Sequence, residues 1–131
     1  MNDLWPTPAW LRFMFPRDLW FDPCPLDPPF DGLKIGWGLR NWVNPPYSKP
    51  LPWIEKALYE YTKGNRSALL LREDASTEVY HLLHSNGAHI LRFDERLDHG
   101  GDGGSARHSS ILACLMDNTP RTKDSDNNAG Y

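Results

Sequence analysis

The chain has little cysteine and no long hydrophobic run. Its two cysteines, Cys24 and Cys114, stand far apart and lack the close pairing that zinc sites use. No apolar stretch approaches the roughly 20 residues that a membrane-spanning helix needs. The first residues also lack the basic start and apolar stretch of a signal peptide. These absences predict a single soluble domain in a reduced, cytoplasmic setting, with no metal site and no membrane partner.

Positive charge is also scarce, because 14 lysines and arginines stand against 17 aspartates and glutamates, for a formal net charge of -3. Nucleic-acid binders usually carry a basic patch, since neutralising phosphates dominates their affinity. Here the basic residues are scattered among acidic ones, and the sequence does not show whether they cluster in space. The charge balance therefore neither predicts nor excludes a nucleic-acid partner.

Proline and tryptophan, in contrast, are abundant. All but one of the 12 prolines fall within the first 52 residues, so this half is predicted to be rich in loops. The six tryptophans all lie at or before residue 53, and so many large aromatics predict packing on a core or lining of a pocket. We expect Trp10, Trp20 and Trp53 in the core and leave Trp37 and Trp42 open.

Hydrophobic periodicity predicts alternating helices and strands. The predicted helices are 7–15, 52–63 and 76–85, and the predicted strands are 19–21, 40–43, 67–71, 89–93 and 111–116. This alternation favours an α/β sandwich with a mainly parallel sheet. We expect one domain over residues 1–116, a glycine-rich loop over 94–109, and a polar, disordered tail over 117–131.

The ends of three predicted helices carry local signals. Thr7 is a suitable N-cap for the first helix, and Pro8 suits the first helical position. Gly64 is the expected stop of the helix 52–63, and Gly87 that of the helix 76–85.

The tetrapeptide Asn44, Pro45, Pro46 and Tyr47 directly follows the predicted strand 40–43, where open parallel sheets place ligands. An exocyclic base amine is a poor nucleophile, because its lone pair is delocalised into the ring. Two acceptors on its hydrogens would draw it toward tetrahedral geometry. The side-chain oxygen of Asn44 and the carbonyl of Pro45 can form that pair. The prolines stiffen the turn, and Tyr47 offers a face on which a flipped base can stack.

The same four residues also fit an ordinary turn, since Asn-Pro and Pro-Pro are frequent in turns. A second loose match, residues 27–30, lies inside the proline-rich loop. We favour the copy at 44–47, because it follows a predicted core strand and precedes the helix 52–63. The tetrapeptide alone does not decide between a turn and a base-amine site.

Further motifs occur in a specific order over residues 7–116. They are Thr7-Pro8, 21–25, 31–33, Trp37, 42–48, 53–57, 70–72, Asp74, 76–77, His81, 96–97 and 105–106. In this order and spacing the sequence resembles the phage DNA N-6-adenine methyltransferases. The resemblance implies a compact Rossmann-like methyltransferase fold, S-adenosylmethionine as cofactor, adenine in DNA as acceptor, and the host-cell cytoplasm as the location of a phage-encoded protein.

The resemblance also implies a cofactor pocket around Asp22, with Pro23 and Cys24 lining it and Thr7 and Pro8 closing it. A carboxylate can accept hydrogen bonds from ribose hydroxyls or pair with an ammonium group, and aromatic faces attract a sulfonium. An Asp before Pro is also a common turn former, so both roles stay open for Asp22. No glycine-rich loop follows the first strand, which leaves open how the cofactor is held.

Ser48, Lys49 and Arg72 are the predicted DNA contacts. Arg72 ends the strand 67–71 and would face the same edge as Tyr47 in a parallel sheet; pairing with Glu73 or Asp74 is the alternative. The chain shows no separate region for recognising a DNA sequence. Three alternatives follow: the specificity is low, a partner protein supplies it, or the protein has lost activity.

Other motifs give weaker predictions. His81 and His84 lie three apart on a helix without further ligands, which favours a plain helix surface over half of a metal site. The glycine-rich stretch 100–104 lacks the Lys-Ser/Thr pair of a phosphate-binding loop.

Two rival functions remain: an inactive relative that binds nucleic acid or protein, and a methyltransferase acting on RNA or protein amides. Neither the target DNA sequence nor the oligomeric state follows from the sequence.

Overall fold

The computed structural model describes residues 7–73, 77–93 and 109–116. Its elements are α1 (Ala9–Met14), β1 (Arg40–Val43), α2 (Leu51–Thr62), β2 (Arg66–Arg72), α3 (Thr77–Ser85), β3 (His89–Arg92) and β4 (Ser110–Leu115). These elements confirm an α/β fold, and each lies within two residues of its predicted bounds. The predicted tail 117–131 and the glycine-rich stretch 100–104 lie outside the described residues. In the described parts of the chain, no helix has the length and apolar character required to cross a membrane.

The predicted strand 19–21 is wrong except at its last residue. Phe21 forms an isolated parallel bridge with Asn41, in which the Phe21 N–H donates to the Arg40 carbonyl at 2.9 Å. The N–H groups of Leu19 and Trp20 instead donate to the Pro16 carbonyl, at 3.0 and 2.9 Å. A turn therefore takes the hydrogen bonds that a longer strand would have needed.

The sheet is mixed, so the prediction of a mainly parallel sheet is wrong. The strand order is β1-β2-β4-β3, and β1 pairs with β2 in parallel. The pairs β2–β4 and β3–β4 are both antiparallel. Because β4 opposes both of its neighbours, β3 runs in the same direction as β1 and β2. Periodicity missed this arrangement because β4 is almost wholly buried and has the apolar pattern of a central parallel strand.

The two faces of the sheet build two cores, because successive strand residues point to opposite sides. On one face, α1 packs against the sheet through Leu11, Phe15, Trp42, Ala68, Leu70 and Leu112. On the other face, α2 and α3 pack through residues that include Val43, Trp53, Ile54, Leu69, Leu71, Leu83 and Ile111. The sheet is thus the middle of three layers, and β2 is buried on both sides.

The burial of the tryptophans differs in part from the prediction. Trp10 is 54% exposed, so its assignment to the core is wrong. The reason is that α1 turns Leu11 toward the sheet and leaves Trp10 at the margin, edge-on to Phe93 at a ring distance of 6.0 Å. Trp20 is half-buried against the α1 core, and Trp53 is buried as predicted. Trp37 and Trp42, which the sequence left open, are both buried.

Two of the predicted helix ends are confirmed and one helix start is not. Gly64 and Gly87 have φ of +91° and +81°, the left-handed conformation that ends a helix and favours glycine. At α1, however, Pro8 is the N-cap residue and no side chain caps the helix. The Thr7 hydroxyl instead accepts hydrogen bonds from Trp42 in β1 and from Asn44 directly after it.

Candidate active site

Three predicted functional groups lie at one edge of the sheet, because the segments that carry them run in parallel. The Phe21 bridge, β1 and β2 all point in the same direction. Asp22 directly follows the bridge, and the tetrapeptide 44–47 directly follows β1. Continuing the β1–β2 register by three residues brings Arg72 level with Pro46. We call this region the carboxyl edge; it is where open sheets of parallel strands place their ligands.

The Asn44 side chain is held in one orientation. Its Nδ2 donates a hydrogen bond to Thr7 Oγ1 at 3.3 Å, on the same face of the sheet as Trp42. Asn44 is 8% exposed, and its Oδ1 has less than 1 Å² of accessible surface. A planar amine can therefore reach Oδ1 only when the groups that cover it move. Pro45 is buried and Pro46 is half-buried, so the start of the turn is enclosed.

Tyr47 is half-buried beside Arg72. Burial raises the pKa of its phenol to about 12, and the positive charge of Arg72 opposes that rise. This electrostatic interaction indicates that the two side chains lie near each other. At neutral pH the ring is uncharged, which suits stacking on a base.

The other predicted DNA contacts surround this pair. Ser48 and Lys49 are exposed directly after the tetrapeptide, and the Lys49 N–H donates to the Pro46 carbonyl at 3.2 Å. The alternative partner proposed for Arg72, Glu73, forms its ion pair with Arg92. Asp74 lies outside the described residues. Exposed polar and basic side chains thus follow the tetrapeptide directly in the chain.

Of the two roles that the sequence left open for Asp22, the structure shows the turn-forming one. Its Oδ1 accepts the Cys24 N–H at 3.0 Å, which is a turn-forming contact, and its Oδ2 lies 3.8 Å from Arg12. The carboxyl side chain keeps 16% exposure. Burial raises the pKa of Asp22, while the Cys24 N–H and the Arg12 charge oppose the rise. Asp22 is therefore a turn former whose carboxylate still reaches the surface at the carboxyl edge.

Cys24 and Pro23 are buried next to Asp22. Burial, followed by the nearby Asp22 charge, raises the pKa of the Cys24 thiol to about 12. A thiol that stays protonated is a poor nucleophile and a small apolar wall group. The position of these two residues is compatible with lining a pocket, and it gives Cys24 no chemical step.

Sequence reasoning missed the residues that hold this loop in place. Gly32 packs so closely that an added Cβ would lie 1.8 Å from the Pro23 carbonyl oxygen. The Trp37 indole N–H donates to the Gly32 carbonyl at 2.8 Å. Buried Asn41 uses its side chain to bond both Gly38 N–H and carbonyl, each at 2.9 Å. Glycines in a proline-rich loop were the one signal that could have indicated such close packing.

The segment around α1 connects the two halves of the site. Thr7 contacts Asn44 and Trp42, whereas Arg12 lies beside Asp22. Pro8, at the N-cap of α1, is buried. The structure therefore places Thr7 at the tetrapeptide, although the sequence had assigned it to the cofactor pocket.

Residues 26–129 match the family described as DNA N-6-adenine-methyltransferase (Dam). The chain belongs to this family. It is 32% identical over 97 residues to the DNA N-6-adenine-methyltransferase of Escherichia phage T1, covering 72% of this chain and 41% of the relative. It is 31% identical over 108 residues to the DNA N-6-adenine-methyltransferase of Haemophilus phage HP1 (strain HP1c1), covering 69% of this chain and 61% of the relative.

These comparisons confirm the resemblance to phage DNA N-6-adenine methyltransferases. The Dam family match includes the tetrapeptide 44–47 and Arg72 but begins after Thr7 and Asp22. The chain spans less than two thirds of the length of each of these relatives, with shares of 41% and 61%. No solved structure matches the chain.

Proposed function

We propose that this chain transfers a methyl group from S-adenosylmethionine to the exocyclic amine of adenine in DNA. The observation that carries the proposal is the tetrapeptide 44–47 at the carboxyl edge, with the Asn44 amide held in one orientation. The family membership and the names of both phage relatives support the same acceptor. The fold proposed with this function is a Rossmann-like methyltransferase sheet in which β4 alone is reversed.

The first task of the site is to make the amine lone pair available. Asn44 Oδ1 and the Pro45 carbonyl are both acceptors, and each would take one hydrogen of the amine. Held in this way, the amine hydrogens leave the plane of the ring, the nitrogen becomes tetrahedral, and its lone pair is free to attack the methyl group. Because the turn is stiffened by two prolines, little further entropy is lost when the amine binds.

The second task is to hold a base outside the helix. The half-buried Tyr47 ring offers a stacking face, a contact worth about 1–3 kcal/mol for a base on an aromatic ring. Since Asn44 Oδ1 is covered in this conformation, the flipped base must displace the groups over it. Arg72, Lys49 and Ser48 would bind the DNA backbone beside the flipped base.

No strong base is needed for the transfer itself. Tyr47, with a pKa of about 12, would not remove a proton at neutral pH. The amine proton can leave to solvent after the new bond has formed. Thus the tetrapeptide acts by orientation and hydrogen bonding, which fits a site whose acceptors are neutral.

The groups near Asp22 fit a cofactor in this role. When bound, S-adenosylmethionine supplies an electrophilic methyl group on a sulfonium that is a good leaving group. The partly exposed Asp22 carboxylate can accept hydrogen bonds from hydroxyl groups or pair with an ammonium. Phe21 and Phe30 stack beside it with ring centroids 5.9 Å apart, which supplies apolar surface. Pro23 and Cys24 would form the adjoining wall.

The proposal is tested by supplying purified protein with S-adenosylmethionine labelled in its methyl group. Unmodified DNA, RNA and a protein mixture are offered in parallel, and incorporation into each is counted. We expect label only in DNA, and on adenine after hydrolysis to nucleosides. Label in RNA or protein alone would show that the acceptor class is wrong, and no label in any of the three, even after host extract is added, would refute the activity. Failure with DNA alone, restored by host extract, would indicate the partner protein that supplies specificity in the host cytoplasm.

A further inference from the structure

Thr7 accepts hydrogen bonds from two side chains that lie two residues apart at the end of β1. Its Oγ1 accepts the Trp42 indole N–H and the Asn44 Nδ2–H, each at 3.3 Å. Trp42 and Asn44 are two residues apart, so their side chains leave the strand on the same face. A single hydroxyl therefore ties the segment before α1 to the tetrapeptide.

The hydrogen-bonding capacity of a hydroxyl explains why this contact is specific. A threonine oxygen has two acceptor positions, and the two N–H donors occupy both. Pro8 is the N-cap residue of α1, which has no side-chain cap. Because the side-chain amide is planar, holding Nδ2 at Thr7 fixes the direction in which Oδ1 points.

We propose that Thr7 is the positioning residue that sets the polarity of the Asn44 amide. If the amide were reversed, Nδ2 would face the hydrogens of the target amine, and donor would meet donor. Thr7 favours the working orientation because Nδ2 donates to its Oγ1 on the α1 side, which leaves Oδ1 as the atom presented to the amine. This role rests on the proposed methyl transfer to adenine.

The anchor for Thr7 is itself rigid. Trp42 is fully buried and its ring stacks on Phe15 with centroids 4.6 Å apart. Phe15 also meets Trp20 edge-on at 4.9 Å. The indole N–H that reaches Thr7 is therefore fixed by the core between α1 and the sheet, and the hydroxyl has a defined position from which to hold Asn44.

The test compares Thr7→Val, which keeps the shape but loses the hydroxyl, with Thr7→Ser, which keeps the hydroxyl. Thr62→Val is the matched control, because Thr62 is exposed near the end of α2 and bonds the Tyr59 carbonyl. We expect Thr7→Val to lower kcat for DNA methylation by about 10- to 100-fold, the effect of misplacing a reacting group. Its calorimetric Kd for S-adenosylmethionine stays at the wild-type value, and Thr7→Ser and Thr62→Val keep the wild-type kcat.

Two kinetic outcomes would overturn the proposal. If Thr7→Val weakens cofactor binding and leaves kcat at saturation unchanged, Thr7 belongs to the cofactor pocket. If Thr7→Ser is as impaired as Thr7→Val, the methyl group and not the hydroxyl carries the effect.

A spectroscopic readout separates this inference from the activity on which it rests. In the wild type, the Trp42 indole N–H and the Asn44 side-chain amide give assignable proton–nitrogen resonances. Thr7→Val should shift both, whereas Thr7→Ser should leave them near their original positions. Unshifted resonances in a folded Thr7→Val protein would show that the contact is absent and end the proposal. If wild-type protein transfers no methyl group to DNA but the resonances shift as expected, the proposed function fails while the contact stands.

Discussion

The positive charge of Arg72 opposes the rise in the pKa of Tyr47 that burial causes. Arg72 is the last residue of β2, and Tyr47 lies in the turn after β1. The two residues come from different strands, and the parallel pairing of those strands brings them to one edge. A cation close to an aromatic side chain is a suitable arrangement for a nucleic acid strand with an extruded base, because phosphate and base are then bound by neighbouring groups.

The first prediction concerns Arg72. Replacing it in Arg72→Gln should weaken DNA binding and lower the slope of log Kd against log salt by about one, because one phosphate contact is lost. The measurement is DNA affinity by fluorescence anisotropy over a range of salt concentrations. Arg66→Gln is the control, since Arg66 is exposed at the opposite end of the same strand. Equal slopes in all three proteins would remove Arg72 from the DNA interface.

The second prediction concerns Asn44. In Asn44→Ala an acceptor needed in the transition state is lost, so kcat should fall by about 100- to 1,000-fold while cofactor affinity is retained. Transfer is measured with saturating labelled cofactor, and affinity by calorimetry. Asn86→Ala serves as the matched control, because Asn86 is exposed and bonds only within its own turn region, through the Leu82 carbonyl at 2.8 Å. Parallel losses of transfer and cofactor affinity would contradict the assigned role.

The third prediction concerns Asp22. Asp22→Asn should weaken S-adenosylmethionine binding, because an amide cannot pair with an ammonium as a carboxylate does. Asp31→Asn is a close control: Asp31 makes the same kind of turn contact, to the Leu33 N–H at 3.0 Å, but is exposed. Unchanged calorimetric affinity in Asp22→Asn would remove this carboxylate from the cofactor site.

Asp22 also gives a pH dependence with a defined sign. Burial raises its pKa above the ordinary 3.8, so the ionised form needed for binding is lost at a higher pH than for an exposed carboxylate. Cofactor affinity should therefore fall as pH drops toward this raised pKa. The stability of the fold changes with pH in the opposite direction. Asp22 contributes stability that is present below pH 3.8 and is lost as the pH rises through the pKa of the folded state. Asp22→Asn should remove both dependences.

The sequence predicted the elements of the fold more fully than their arrangement. Periodicity and glycine stops identify helices and strands because these signals are local. The direction of β4 depends on which strands it pairs with, and its burial pattern is the same for either direction. Trp10 was misplaced for a related reason, since helix periodicity in a six-residue helix does not settle which side meets the sheet.

For the candidate site, the chemistry of the tetrapeptide could be predicted from its residue types. The location of the tetrapeptide could be predicted from the strand that precedes it. The contact between Thr7 and Asn44 could not be predicted, because the two residues are 37 positions apart in the chain. The same holds for Arg12 beside Asp22, since nothing in a short amphipathic helix indicates which loop its basic residue will meet. Long-range hydrogen bonds of this kind are set by packing, which a single sequence does not display.

The last prediction concerns stability and lies away from the site. Glu60 in α2 is 0% exposed, and it is held by Lys56 at 3.0 Å and by Asn65 at 2.7 Å. Burial alone would raise the pKa of Glu60, but the hydrogen bonds from Asn65 and Lys56 outweigh it, so the pKa lies below the ordinary 4.5. Glu60 thus contributes stability that is present above pH 4.5 and is lost as pH falls through the lowered value.

Lys56→Met should remove that contribution, because the buried carboxylate loses its cation and retains the cost of burial. We expect the free energy of unfolding at pH 7 to fall by about 3 kcal/mol, as for a buried pair that loses one partner. Urea titrations at a series of pH values should also show that the loss of stability on lowering the pH below 4.5 has disappeared. Lys63→Met is the control, since Lys63 is exposed at the C-cap of the same helix and lies over the Tyr59 ring. If both variants keep the wild-type pH profile, the Lys56–Glu60 pair does not stabilise the fold, and the packing of α2 must come from its apolar face alone.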